Sequence, residues 1–174
     1  IVDMIPPKKK INNTFSSFSL KSEIMKAIDE LGFVTPTPIQ QKVIPHLLSS
    51  KQDLIASAQT GTGKTAAFAL PLLQSIDFKN NNVQMLVLCP TRELCIQISK
   101  DLINYSKYLQ KINIVPIYGG ARIENQLRGL KKKPQIVIGT PGRTTDLIRR
   151  KKLILNKINY LILDEADEMM SMGF

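Results

Sequence analysis

Cysteine is scarce in this sequence: Cys89 and Cys95 are the only two among 174 residues, and neither has a Cys or His neighbour at metal-ligand spacing. That pattern excludes a disulfide framework and a zinc site, and it reads as two reduced packing thiols of a cytosolic protein. Long apolar runs are missing as well. None reaches the roughly 18 residues that suggest a membrane span, and the amino terminus lacks the charged-then-apolar order of a signal peptide. The expected compartment is the cytoplasm. In a eukaryote Pro6-Pro7-Lys8-Lys9-Lys10 offers a nuclear address as the alternative, although the same run is accounted for as part of a flexible basic leader over residues 1–14. Acidic residues are in deficit, 14 against 24 Lys and Arg, and the formal net charge of +10 favours polyanionic partners. No internal repeat or linker divides the chain, so its 43% apolar residues are expected to build one core.

What is present is an alternation. Apolar runs rich in Ile, Val and Leu occur at Asp53 to Ser57, Gln84 to Cys89, Ile112 to Tyr118, Gln135 to Gly139 and Tyr160 to Leu163. They alternate little between apolar and polar, as strands buried on both faces of a parallel sheet do. Between them, helical spacing predicts helices over Lys64 to Ile76, Arg92 to Leu109, Arg122 to Leu130 and Thr144 to Arg149. Two more precede the first run: Ser19 to Leu31, stopped by Gly32, and Thr37 to Leu48, with Pro38 in its first turn. Repeated strand then helix implies right-handed crossovers in an open α/β sheet, mostly parallel, with helices on both faces.

Two constellations carry chemistry. Ala58-Gln59-Thr60-Gly61-Thr62-Gly63-Lys64-Thr65 falls between an apolar run and a helix. Gly61 and Gly63 let backbone N–H groups converge on phosphate oxygens, and the helix N-terminus adds partial positive charge. Lys64 supplies a full charge to the β- and γ-phosphates, and the Thr65 hydroxyl is suited to ligating Mg²⁺. A glycine-rich helix cap would explain the glycines but not Lys64 and Thr65 beside them. Ala58 departs from the general phosphate-loop pattern, which has Gly there. The second constellation is Asp164-Glu165-Ala166-Asp167, delivered by the carboxyl end of the apolar run 160–163. Asp164 is suited to holding Mg²⁺, and Glu165 to orienting and deprotonating an attacking water. An acidic first turn for the next helix would explain the charge, but not its pairing with the loop at 58–65.

Together these residues resemble the amino-terminal RecA-like domain of the DEAD-box RNA helicases, whose name Asp164 to Asp167 spell. Ala58 fits the Walker A loop of that family. Gly32 to Gln40 resemble its Q motif, Pro90-Thr91-Arg92-Glu93-Leu94 its motif Ia, Gly119-Gly120 its GG element and Thr140-Pro141-Gly142-Arg143 its motif Ib. The resemblance implies an ATP-dependent RNA helicase that uses ATP and Mg²⁺, with catalytic Lys64, Asp164 and Glu165. It implies that the Gln40 amide and the Thr35 carbonyl read adenine, and that Phe15 stacks on it, beside the plainer reading of Phe15 as a core ring. Single-stranded RNA or short duplexes are expected along Pro90, Thr91, Arg92, Gly119, Gly120, Thr140, Pro141, Gly142 and Arg143. These are hydroxyl, guanidinium and bare-backbone donors suited to sequence-independent phosphate and sugar contacts. Asp167 is expected to couple the motifs and domains.

The resemblance further implies a Ser-Ala-Thr motif strand beside the phosphate-loop strand, and a second RecA-like domain supplying arginines to the ATPase site. Neither is found up to Phe174, so residues 15–174 are expected to form an incomplete RecA-like P-loop NTPase domain. A monomer, nearly inactive as a fragment, is expected.

Overall fold

The computed structural model describes residues 14–173. The run Pro6 to Lys10, with nearly all of the expected leader, lies outside the described residues. A short 3-10 turn at Phe15–Phe18 leads into α1 (Ser22–Glu30) and α2 (Pro38–Ser49). There follow α3 (Lys64–Gln74), β1 (Met85–Leu88), α4 (Arg92–Tyr105), β2 (Ile114–Ile117) and α5 (Ile123–Leu130). β3 (Ile136–Gly139), α6 (Pro141–Arg149), β4 (Tyr160–Leu163) and α7 (Ala166–Ser171) complete the order. Local chemistry sets these bounds. Gly32 takes a left-handed φ of 76° just past α1, Pro38 and Pro141 occupy first-turn positions that need no N–H, and the Thr91 hydroxyl caps α4 by accepting the Leu94 N–H at 3.2 Å.

The four strands are all parallel, in the order β2-β3-β1-β4. Side chains alternate between two cores. Met85, Val87, Ile136 and Ile138 face one layer with Ile24, Ile44, Leu70, Leu73, Ile98 and Leu102 of α1 to α4. Leu86, Val137, Val115 and Ile117 face the other, with Leu147 of α6 and the apolar side of α5. Fully burying one such aliphatic side chain contributes about 1.5–3 kcal/mol. Helices thus cover both faces, as the alternation predicts. The exception is the end strand: Leu161 and Leu163 point to the second face but are 60% and 52% exposed. Among the described residues no helix is long and apolar enough to cross a membrane.

One expected strand is corrected. Asp53 to Ser57 has no strand partner among the described residues, and Ile55 is fully exposed. An apolar composition favours a strand only where a neighbour supplies hydrogen bonds and a packing face, and this segment has neither. The remaining four runs are strands, each trimmed by one to three residues except Tyr160–Leu163.

Gly139 ends β3 where the strand meets α6. A Cβ there would stand 2.2 Å from Thr144 Oγ1 and 2.9 Å from Ile117 Cγ1. Gly139→Ala is expected to destabilise the fold by about 1–3 kcal/mol through overpacking, read as a lower urea midpoint with an unchanged slope. An unaltered midpoint would show that α6 yields at no cost.

Candidate functional site

Because all strands run one way, their carboxyl ends share an edge. Leu88 is in register with Gly139 on one side and Leu163 on the other, so the segments beginning at Cys89, Thr140 and Asp164 leave the sheet side by side. The backbone keeps this level beyond the strands: Cys89 N–H donates to Gly139 O, Thr140 N–H to Ile117 O and Asp164 N–H to Leu88 O, at 2.9–3.0 Å.

The phosphate loop is held from the helical side. Gly61 and Gly63 take φ values of 78° and 85°, which glycine adopts without a Cβ penalty. The first hydrogen-bonded amide of α3 is Ala67 N–H, on Gly63 O at 3.1 Å, so the amides of Lys64, Thr65 and Ala66 have no acceptor within the helix. They form the donor cluster that a polyphosphate needs. Thr62 Oγ1 donates to Gln59 O at 2.7 Å and closes the turn. Gln40, only 3% exposed, accepts the Thr37 N–H at 2.9 Å and donates from Nε2 to Gly63 O at 3.2 Å. Its amide is thereby clamped to the loop, with one donor and one acceptor function left for a base edge. Thr35 is exposed just before α2. Phe15 is 3% exposed, as Gln40 is, and packs on Phe18 and Phe33 at centroid distances of 5.9 and 5.8 Å, in keeping with the plainer reading of its ring as part of the core.

The acidic segment follows β4. Asp164 is buried, 9% exposed; burial pushes its carboxyl above the usual range, against the opposing effects of Lys64 and of the Glu165 backbone amide. Glu165 is raised too, first by desolvation, then by a hydrogen bond with Glu168 and by the charges of Asp164 and Glu168, with Lys64 again opposing. The Lys64 ammonium thus lies close enough to both carboxyls to oppose their rise. Glu165 caps α7 at φ 53°, ψ 47°, a left-handed conformation that strains a non-glycine residue by roughly 1–3 kcal/mol and clusters at functional sites. A hard divalent cation fits this donor set. Asp164 is a buried carboxylate and Thr65 offers a hydroxyl in the first turn of α3; oxygen donors of this kind suit Mg²⁺, which keeps waters and phosphate oxygens as its other ligands.

On the β2-β3-β1 side of the same edge the loops interlock. The Arg92 guanidinium lies 5.2 Å from the Tyr118 ring centroid, and Gly120 sits against its tip. Arg143 donates to Ala121 O at 3.4 and 3.5 Å, and Thr144 Oγ1 ties back to Thr140 O at 2.9 Å. Gly119 and Gly142 have open space where a Cβ would be, and a Cβ on Gly120 would stand 3.9 Å from an Arg92 guanidinium nitrogen. Thr91, Arg92, Gly119, Gly120, Thr140, Gly142 and Arg143 thus gather on one edge. Pro90 and Pro141 are buried beneath it, where they shape the loops. Asp167 stands in the first turn of α7. Sequence reasoning missed Tyr118, whose aromatic beside Gly119-Gly120 was a readable signal. It also missed Glu168 as the group raising Glu165, for which the acidic run was the signal. The Gln40 clamp had no sequence signal, since it spans 23 residues.

Comparison with known proteins agrees with this geometry. A family model described as DEAD/DEAH box helicase matches residues 37–174. The chain is 54% identical over 160 residues to the ATP-dependent RNA helicase CshA of Listeria monocytogenes, covering 92% of this chain and 30% of that protein. It is 49% identical over 165 residues to the ATP-dependent RNA helicase DeaD of Escherichia coli, covering 95% of this chain and 26% of that one. The crystal structure of a DEAD box protein from the hyperthermophile Methanococcus jannaschii superposes with a TM-score of 0.86 at 44% identity, over 92% of this chain and 43% of that chain. The chain therefore spans less than a third of the length of either named helicase.

With its pKa raised on folding, Asp164 favours the folded state below the unfolded carboxyl value and withdraws that support as pH rises through the folded value. At neutral pH the buried charge opposes folding. Asp164→Asn is expected to raise the thermal midpoint there by about 2–4 °C, or about 1 kcal/mol. The gain should vanish once pH falls below the carboxylate range, where Asp164 is neutral in both states. Thermal melts at the two pH values check this, and a lower midpoint for the Asn variant at neutral pH would refute it.

Proposed function

The chain belongs to the DEAD/DEAH box helicase family, and from that premise we propose that it is the ATP- and RNA-binding half of an ATP-dependent RNA helicase. The observation that carries this reading is the parallel register of Leu88, Gly139 and Leu163, which brings the acidic segment onto the sheet edge that also bears the loops of Arg92 and Arg143. Residues 15–174 would be its amino-terminal RecA-like domain and residues 1–14 a basic leader, in a monomeric, cytoplasmic protein.

Lys64 and the free amides of α3 hold the β- and γ-phosphates of ATP. Residues 58–63 wrap them, and the spare functions of Gln40 with the Thr35 carbonyl read the adenine edge. Asp164 and Thr65 hold Mg²⁺, which when bound neutralises charge on the phosphate oxygens. Glu165 orients the attacking water and takes its proton. Its raised pKa, caused mainly by desolvation and the neighbouring acids, makes it a stronger base once deprotonated. Asp167 links this end to the RNA edge. There Thr91 retains its hydroxyl proton as a donor although its oxygen caps α4. With Arg92, Gly119, Gly120, Thr140, Gly142 and Arg143, and with Pro90 and Pro141 fixing the loop backbones, it grips phosphate and sugar without reading bases. A second RecA-like domain of the same protein closes over both ligands and supplies arginines to the γ-phosphate, so that short duplexes separate and hydrolysis resets the cycle.

In the full-length protein, Lys64→Ala and Glu165→Gln are each expected to lower RNA-stimulated ATP turnover by at least about a hundredfold. Glu165→Gln should still bind ATP, while Lys64→Ala should bind it poorly. Duplex separation that survives both changes would sink the enzymatic reading. Residues 1–174 alone should turn over ATP about 10³-fold or more slowly than the full chain, the scale of a missing arginine; comparable rates would remove the second domain from the mechanism.

A further inference from the structure

The opposite edge of the sheet, where the strands begin, is built for a ligand that the ATP and RNA sites do not use. Lys131, Lys132 and Lys133 leave α5, Lys151 and Lys152 leave α6, and Lys157 precedes β4; all are exposed. None pairs with an acid among the described residues, where the only ion pairs are Lys107–Glu30 and Arg150–Asp146. Cations at a helix C-terminus complement its dipole, but that effect is confined to the last turn and does not account for Lys157 or for the length of both runs. Lys133 and Lys151 also hold left-handed φ values of 52° and 55°, positions where glycine would be less strained.

Two of these lysines, Lys133 and Lys152, line a cleft of about 320 Å³ whose wall also includes Asn81, Asn82, Pro134 and Ile154. Its rim is fixed from beneath by two buried glutamines. Gln84 Nε2 donates to Asp77 O and Asn80 O at 2.8 and 3.2 Å, and Gln135 Nε2 donates to Asn80 O at 3.3 Å while its Oε1 accepts the Asn113 N–H at 2.9 Å. The Asn113 amide in turn holds Lys132 O at 3.1 Å. The asparagine loop and the lysine loop are therefore tied into one rigid rim. Apolar walls flanked by amides and by the two ammonium groups of Lys133 and Lys152 match an unstacked base attached to phosphates better than they match an acidic peptide, which has no ring to place there.

We propose that this amino edge is a second RNA-binding surface, at which Lys131, Lys132, Lys133, Lys151, Lys152 and Lys157 hold backbone phosphates and the Asn81–Lys152 cleft takes one base. A four-residue strand separates the two edges by about 13 Å before the loops are added, so RNA held here is a segment beyond the one gripped at Arg92 and Arg143. The choice of RNA as the polyanion rests on the helicase reading, whereas the surface itself does not.

The test uses full-length protein with Lys131→Gln, Lys133→Gln and Lys152→Gln combined, exposed positions that leave the core untouched. Binding of a long oligouridine is followed by fluorescence anisotropy across a salt series without nucleotide. The slope of log affinity against log salt should fall in magnitude by about 2, three phosphate contacts at roughly 0.7 each. ATP turnover stimulated by an RNA just long enough for the Arg92–Arg143 edge should stay at the parent level. An unchanged slope would overturn the proposal. An equal loss of affinity for polyglutamate would overturn the assignment to RNA and leave a docking face for acidic protein. If the parent protein shows no RNA-stimulated turnover at all, it is the helicase reading that fails, and the slope still decides this surface.

Discussion

Everything functional in this chain hangs on the central strand β1 being paired in parallel on both sides. Parallel pairing fixes Leu88, Gly139 and Leu163 at one level, and the three loops that follow inherit that level. An antiparallel neighbour would deliver its loop to the opposite edge and separate the acids from the backbone donors. Strand order then divides the edge: the loops after β2, β3 and β1 interlock through Arg92 and Arg143, and β4 stands next to β1 with the acidic segment. The proposed nucleotide and nucleic-acid sites are neighbours because β1 is shared between them.

The phosphate loop obeys a different constraint. With residues 53–57 outside the sheet, the loop is located by α3, which packs in the same core as α2, and by the Gln40 amide on Gly63 O. The clamp is tight: a Cβ on Gly63 would stand 2.4 Å from Gln40 Nε2. An amide that both braces the loop and retains a donor and an acceptor for a base couples what it reads to the shape of the loop. The acids are prepared in a complementary way. Burial of Asp164 and the left-handed backbone at Glu165 are both unfavourable in the absence of a cation and a phosphate, and fields fixed beforehand need no rearrangement during the reaction.

The parallel sheet, its two helical layers and the edge carrying the site were legible in the sequence, because apolar runs without alternation and turn residues after each run are local signals. Residues 53–57 misled because their composition is that of a strand while strandedness depends on a neighbour. Phe15 was open to two readings for a related reason: an aromatic residue has the same one-letter appearance whether it faces a ligand or packs, as this ring does, on Phe18 and Phe33. The Thr91 hydroxyl, read as a ligand donor, also serves as a helix cap, and only geometry separates its acceptor from its donor role. Contacts such as Gln40 to Gly63 or Arg92 to Tyr118 join residues far apart in sequence, and no spacing announces them.

The excess positive charge gains meaning from where it lies. At the carboxyl edge the acids Asp164, Glu165, Asp167 and Glu168 offset Lys64, Arg92 and Arg143, so the grip there relies on backbone amides, hydroxyls and two guanidinium groups rather than on net charge. The lysines that dominate the amino edge pair with no acid among the described residues, and a field of one sign acts at the range of a Debye length, about 8–10 Å at physiological salt. On the proposed reading, attraction of a polyanion and its productive seating fall to opposite edges of the sheet, and salt should weaken the first more than the second because the second relies on fewer charges.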